Sequence, residues 1–232
     1  MRCAVANLRR GCQSGPMDQV NEVPSLLLLA AGGGTRMGGP KALLRCTDGT
    51  ALLTAQVERM LSAASSRGLE SDVIVVLGPA LEHATRLVPR GAWVVQNPDH
   101  HLGLSCSLRT GLQAVSHSAP GVVVSLLDLP DVPAEAHARL LDATTPKSLA
   151  RAHWNSAPGH PVALGREHFD EALASIAGDE GLRSMFKRHS ANGDVRAIEC
   201  ADLLPPGHDG LADVDTPEAA ARFGLYLEEP HR

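Results

Sequence analysis

The chain has 232 residues, with 21 Lys and Arg against 26 Asp and Glu and a formal charge of −5. That length holds one α/β domain with a sizeable core, and the acidic balance speaks against a nucleic-acid protein, which carries a basic face. Hydrophobic residues make up 44%, which excludes a disordered chain, and aromatics only 3%, which disfavours base-stacking RNA modules and implies a core of Leu, Val and Ala.

Residues 1–24 read as a disordered leader. Arg2, Arg9 and Arg10 lie there, but the apolar stretch of about 7–15 residues that a secretory signal needs does not follow them. Ser25–Ala31 (SLLLLAA) reads as a buried strand ending in glycines. Residues 51–66 form an amphipathic helix with Leu53, Val57, Met60, Leu61 and Ala64 on one face. Strands follow at 72–77, 92–96 and 121–127, closed by Gly78-Pro79, Asn97-Pro98 and Asp128. Between the last two, 105–117 reads as a helix with Leu108, Leu112 and Val115 inward, and Pro133 opens another at a favoured first position. This rhythm over 25–144 implies an α/β fold: a Rossmann-like, mostly parallel sheet with helices on both faces, binding ligands at the carboxyl ends of its strands. The second half is less regular, with strands at 161–164 and 195–199, helices near 166–176 and 179–189, and a closing helix at 217–227.

The longest apolar runs, Leu26–Ala31 and Val122–Leu127, fall far short of the ~20 residues of a membrane span, so no membrane partner is expected. The five cysteines are scattered without a C-x-x-C pair, which fits reduced thiols in a cytoplasm.

The most informative stretch is Leu29-Ala30-Ala31-Gly32-Gly33-Gly34-Thr35-Arg36-Met37-Gly38-Gly39-Pro40-Lys41. Glycines after a buried strand let main-chain N–H groups approach a phosphate, and Arg36 and Lys41 add positive charge to the same loop. Two familiar phosphate loops do not fit. A Walker A loop needs Lys-Ser/Thr directly after its last glycine, whereas Gly39 is followed by Pro40, Lys41 and Ala42. A dinucleotide fingerprint needs a third glycine where Met37 stands and an acidic residue after the second strand, which ends in Leu77-Gly78. His100-His101 lacks Cys or carboxylate partners at metal-ligand spacing, and G-x-S-x-G is absent, so acyl-enzyme hydrolysis has no support.

LAAGGGTRMGGPK resembles the N-terminal signature of MobA-like nucleotidyltransferases, and most closely the molybdenum cofactor cytidylyltransferase branch. NPDHHLGLSCSLRTGL at 97–112, LLDLPDVP at 126–133, GHPVALG at 159–165, GDEGLR at 178–183 and DVDTPE at 213–218 agree in order, so the resemblance spans about 25–227. It implies a single domain of the nucleotide-diphospho-sugar transferase type, with a nucleotide-binding half at 25–144 and an acceptor-binding half at 145–227. It implies transfer of CMP from CTP, or of another nucleotide such as GMP, to molybdopterin or a similar small phosphorylated molecule. It also implies that pyrophosphate leaves, that Mg2+ is the cofactor, and that a molybdoenzyme is the partner receiving the product. A non-catalytic molybdenum cofactor carrier is the reading from a different class.

Carried over by position, Ala30, Ala31, Gly32, Gly33 and Gly34 would line the nucleotide, Arg36 and Lys41 would grip its triphosphate, and Ser105 and Ser107 would lie near base and ribose. Asp128 and Asp215 would hold magnesium. Gly34 departs from the family, which usually has Ser there. Asp128 ends a central strand, where a carboxylate can hold a divalent ion with phosphate oxygens and waters. Arg36, Lys41 and Asp128 form the expected catalytic set, since bringing two anions together calls for charge neutralisation. Asp215 or Thr216 can equally cap the last helix, and Ser105 and Ser107 can be caps of theirs. His160 and Asp179 are acceptor-side candidates, with a plain loop histidine and a helix-start residue as their alternatives.

Overall fold

The computed structural model describes residues 7–8, 23–79, 81–176 and 181–227. Its elements in chain order are β1 (Asn7–Leu8), β2 (Ser25–Ala30), β3 (Leu44–Arg45), α1 (Leu52–Ser66), β4 (Val73–Leu77), α2 (Leu81–Arg86), β5 (Ala92–Gln96), α3 (Leu104–Ala114), β6 (Gly121–Leu126), α4 (Ala134–Asp142), β7 (Leu149–Trp154), β8 (Ala157–Gly165), α5 (Phe169–Ser175), α6 (Arg183–Ala191), β9 (Val195–Glu199), α7 (Pro217–Arg222) and β10 (Tyr226–Leu227).

Every residue of β2 and β4 is buried, the pattern of strands covered on both faces. Side chains alternate along β2. Leu26 and Leu28 join a core layer with Leu53, Val57 and Met60 of α1 and Leu140 of α4. Leu27 and Leu29 join the opposite layer with Leu108 and Leu112 of α3 and Met185 and Phe186 of α6. One strand of leucines thus anchors helices on both sides of the sheet.

The main sheet has eight strands among the described residues, in the order β1-β5-β4-β2-β6-β8-β7-β9. β5, β4, β2 and β6 run parallel. β8 is antiparallel to both β6 and β7, and β9 returns parallel to β7. The chain builds outward from β2 through β4 to β5, then crosses back to lay β6 on the other side. That reversal opens a crevice at the carboxyl ends of β2 and β6, where ligands bind in such sheets. Asn7 and Leu8 pair with Val95 and Val94 at the edge; the rest of the expected leader lies outside the described residues.

The second half departs from expectation in three places. The strand expected at 161–164 extends over Ala157–Gly165. Leu149–Trp154 (LARAHW) is a strand that the sequence reading missed, because Ala, Arg and His are weak strand formers. Its burial alternates all the same, with Ala150, Ala152 and Trp154 inward and Arg151 and His153 on the other face. The closing helix stops at Arg222, because Gly224 adopts φ +63° and turns the chain so that Tyr226–Leu227 pairs with Leu44–Arg45. No helix among the described residues is long and apolar enough to cross a membrane.

Candidate active site

The crevice is a cleft of about 920 Å3. Ala30, Ala31, Gly32, Gly33, Gly34, Arg36, Lys41, Ser107, Asp128 and Asp215 all line it, so the first-strand loop and both aspartates converge. A Cβ added at Gly32 or Gly33 would meet nothing within 4 Å, which leaves bare main chain facing open space. Gly34 differs. It sits at φ +60°, and a Cβ there would lie 1.9 Å from the carbonyl oxygen of Gly39. Its own carbonyl accepts from the amides of Met37 at 2.9 Å and Gly39 at 3.2 Å, and buried Met37 anchors the turn beneath. Glycine in place of the family's Ser therefore follows from how tightly this loop closes.

β6 stops at Leu126, one residue short of the expected strand, and Asp128 stands in the turn just past it. The amide of Leu127 donates to Leu29 O at 3.2 Å, tying the end of β6 to β2. Buried Gln56 on α1 donates to Leu129 O at 2.9 Å, and Arg59 donates to Pro130 O. On the other side, the amide of Val214 donates to Asp128 O at 2.9 Å, which brings Asp215 alongside. Thr216 is the cap of α7, its Oγ1 accepting from Ala219 N at 3.2 Å with Pro217 at the first position. The Asp215 carboxylate is thereby left to the cleft.

Lys41 Nζ donates to Asp128 Oδ2 at 2.7 Å and to Asp215 Oδ1. Arg36 donates to Asp215 Oδ2 at 2.6 Å. The lysine side chain is 13% exposed and the arginine 72%, so Lys41 is the enclosed cation and Arg36 the exposed one at the rim. Burial alone would lower the Lys41 pKa, but the charge and hydrogen bonds of the two aspartates outweigh it and raise it above the ordinary lysine value. The hydrogen bond from Lys41 holds Asp215 below the usual carboxylate range against its own burial, aided by the charges of Lys41 and Arg36. Both carboxylates reach one nitrogen, so one cation can contact both. Two carboxylates open to a cleft are also a donor set suited to a small divalent ion that keeps waters and phosphate oxygens as its other ligands.

Ser107 Oγ accepts from the side-chain amide of buried Asn97 at 2.9 Å and faces the cleft. The cap of α3 is Gly103, without a side-chain cap bond, so neither serine is its cap. Ser105 is 6% exposed, its Oγ makes no hydrogen bond among the described residues, and it does not line the cleft.

His160 lies on β8 rather than on a loop and lines a neighbouring chamber of about 390 Å3, which shares Leu29, Leu104, Leu126 and Arg183 with the cleft. Burial pushes its imidazole pKa down to about 4, so it is neutral at pH 7, with Nδ1 3.4 Å from Val124 O. Asp179 lies outside the described residues. Sequence reasoning missed Arg151 and Arg183, both lining this chamber, and no acidic residue is among its described lining. Burial lowers the Arg151 pKa and the charge of Arg183 adds to the effect. The missed signal was the alternation of LARAHW, which puts Arg151 on the chamber side of its strand. His100 and His101, set aside as metal ligands, form part of the cleft wall.

Comparison with known proteins agrees with this geometry. A structure described as a homologue of Mycobacterium tuberculosis Rv0371c from Mycobacterium sp. strain JC1 shares 31% identity at TM-score 0.69, over 85% of this chain and 93% of that one. Rv0371c of Mycobacterium tuberculosis H37Rv in complex with manganese shares 26% identity at TM-score 0.64, over 87% and 97% of the two chains. A CMP:2-keto-3-deoxy-manno-octonic acid synthetase complexed with CTP has the same fold at 17% identity and TM-score 0.63, over 86% and 96%. No curated protein matches the chain. The family model for the MobA-like NTP transferase domain matches residues 26–193, the span that carries the glycine loop, the β2–β6 crevice and Asp128. The chain is a nucleotidyltransferase and belongs to the MobA-like NTP transferase family.

Proposed function

We propose that the protein transfers CMP from CTP to the terminal phosphate of molybdopterin and releases pyrophosphate. The observation that carries the transferase part of this reading is Lys41 bridging Asp128 and Asp215 beside the open glycine backbone. The cytidylyl assignment rests on Leu29-Ala30-Ala31-Gly32, since guanylyl relatives usually carry a second glycine where Ala31 stands. A cytoplasmic setting belongs to the same reading, and Cys46 and Cys200 are free thiols.

In this reading the triphosphate lies along Gly32 and Gly33, where amides replace water around its oxygens. An acceptor phosphate oxygen attacks the α-phosphorus; the new P–O bond forms as the bond to the bridging α–β oxygen breaks, and the electron pair leaves on pyrophosphate. Lys41 supplies a point charge to the departing oxygens and Arg36 a planar fork. Asp128 and Asp215 would hold Mg2+, which neutralises phosphate charge and aligns reactants when bound. The acceptor enters from the side of His160, Arg151 and Arg183, whose chamber joins the cleft. A relative acting on another small phosphorylated acceptor is the second reading, because two arginines, with no carboxylate among the described lining residues, suit an anion of any such acceptor.

Pyrophosphate release from CTP, GTP, ATP and UTP, with and without molybdopterin, tests the proposal. Release with CTP that depends on molybdopterin is expected. Release with CTP and a different phosphorylated acceptor, but none with molybdopterin, rejects the acceptor. Preference for GTP rejects the base, and no release with any nucleotide rejects catalysis in favour of a carrier.

A further inference from the structure

On the acceptor side, away from the cleft lining, His168, Glu171 and His189 bring three ligand-type atoms within 4.8 Å of one another. His168 precedes α5, Glu171 lies in its first turn, and His189 lies in the last turn of α6. His189 Nε2 is 3.0 and 3.1 Å from the two Glu171 oxygens, and His168 Nδ1 is 3.8 Å from Oε2. The edge of a tetrahedral zinc site, with ligand bonds of about 2.0–2.2 Å, is roughly 3.4 Å, close to the 3.0–3.8 Å contacts of both rings with Glu171, so small side-chain shifts bring the three groups onto three of its vertices.

The outer partners favour this further. His168 Nε2 lies 3.1 Å from Lys147 O, and His189 Nδ1 lies 3.1 Å from Asp194 Oδ2. A carbonyl and a carboxylate only accept, so those ring nitrogens carry the hydrogens. His168 Nδ1 and His189 Nε2 are then the atoms left to face Glu171. Each imidazole is oriented by an oxygen on its far nitrogen, as in metal-ligating histidines, where the carboxylate is itself held as well. Here Arg188 pairs with Glu171 Oε1, leaving Oε2 toward both rings. The groups are half-buried, with side-chain exposures of 21%, 37% and 17%.

We propose that His168, Glu171 and His189 bind a zinc ion that staples α5 to α6, with water as a fourth ligand. Two imidazoles and one carboxylate select zinc or a similar borderline transition metal over magnesium or calcium. Binding replaces the hydrogen between His189 and Glu171, which leaves as a proton. α6 begins with Arg183, so the staple fixes the helix that supplies a cation to both cavities.

The test uses the full chain, stripped with a chelator and titrated with Co2+ as a spectroscopic probe, followed by Zn2+ competition and thermal unfolding. One Co2+ per chain with visible bands of nitrogen–oxygen ligation is expected, displaced by Zn2+, which raises Tm. His168→Ala and His189→Ala should each abolish these bands and the Zn2+-dependent rise in Tm while circular dichroism stays native. Asp194→Asn should weaken binding by about 10–100-fold. Two histidine variants keep the test open if one fails to fold. A spectrum unchanged in either folded variant overturns the proposal, as does a sulfur charge-transfer band that puts the ion on cysteine, or no bands in the native protein.

Discussion

The main-chain amide of Val214 donates to the carbonyl of Asp128 across 2.9 Å. This bond joins the end of β6 to the segment before α7 and sets the two aspartates around one lysine. The enzyme's charge is thus held by backbone: strand β6, the amide of Val214 and the cap at Thr216 fix where the carboxylates stand.

Lys41→Met removes the cation that both aspartates contact. The neighbouring carboxylates then repel each other, and the group proposed to stabilise the leaving pyrophosphate is gone. Turnover should fall by about 10²–10³-fold, the usual loss for one transition-state donor. CTP binding in the presence of a divalent ion should change far less, because the glycine backbone remains. Stopped pyrophosphate-release assays beside equilibrium CTP binding separate the two effects.

Gly34→Ser restores the family's residue and should nevertheless be harmful here. Its Cβ would meet Gly39 O, and its φ of +60° is unfavourable for serine. The loop must open, so CTP affinity should drop at least tenfold while the core, and hence Tm, moves little. Gly33→Ala, with open space for its Cβ, is the control and should keep the fold and the turn.

Arg151→Met keeps much of the side-chain bulk over the Phe186 ring, 5.5 Å from the guanidinium carbon, and removes one of two neighbouring positive charges. KM for the acceptor should rise roughly tenfold with KM for CTP unchanged. Stability should hold or improve slightly, since a half-buried cation beside a second cation is lost. Steady-state kinetics with each substrate varied in turn checks this.

His137 gives a pH dependence of stability. Its ring is fully buried between Pro133 O, 3.2 Å from Nδ1, and Ser125 Oγ, 3.1 Å from Nε2. Burial lowers its pKa to about 4 from 6.5. The unfolded chain therefore binds a proton first as pH falls. The stabilisation is complete above pH 6.5 and declines between 6.5 and about 4, by roughly 3 kcal/mol at one pKa unit per 1.4 kcal/mol. His160 acts in the same direction. Urea unfolding of the native protein and of His137→Gln at several pH values should show a shallower acid slope in the variant.

The strands β2, β4 and β6 were legible because they are rich in Leu, Val and Ile and bounded by Gly, Pro and Asp. The parts of the candidate site were legible because the glycine loop and the Asp128 and Asp215 motifs are each local in sequence. Their mutual contact was not, since it rests on the amide of Val214, and any residue but proline supplies an amide. Gln56 and Arg59, which hold the loop after Asp128 through carbonyls, read in the sequence as ordinary helix residues. Ser105 reads as a ligand residue from its motif but sits beneath the lining, because Gly103 and not a serine begins the helix.

The most direct measurement is Mn2+ binding, followed by electron paramagnetic resonance in the presence of CTP, in the native protein and in Asp128→Asn/Asp215→Asn. The account predicts a CTP-dependent Mn2+ site in the native protein that disappears in the double variant while the fold persists. Equal CTP-dependent Mn2+ binding in both proteins would contradict it.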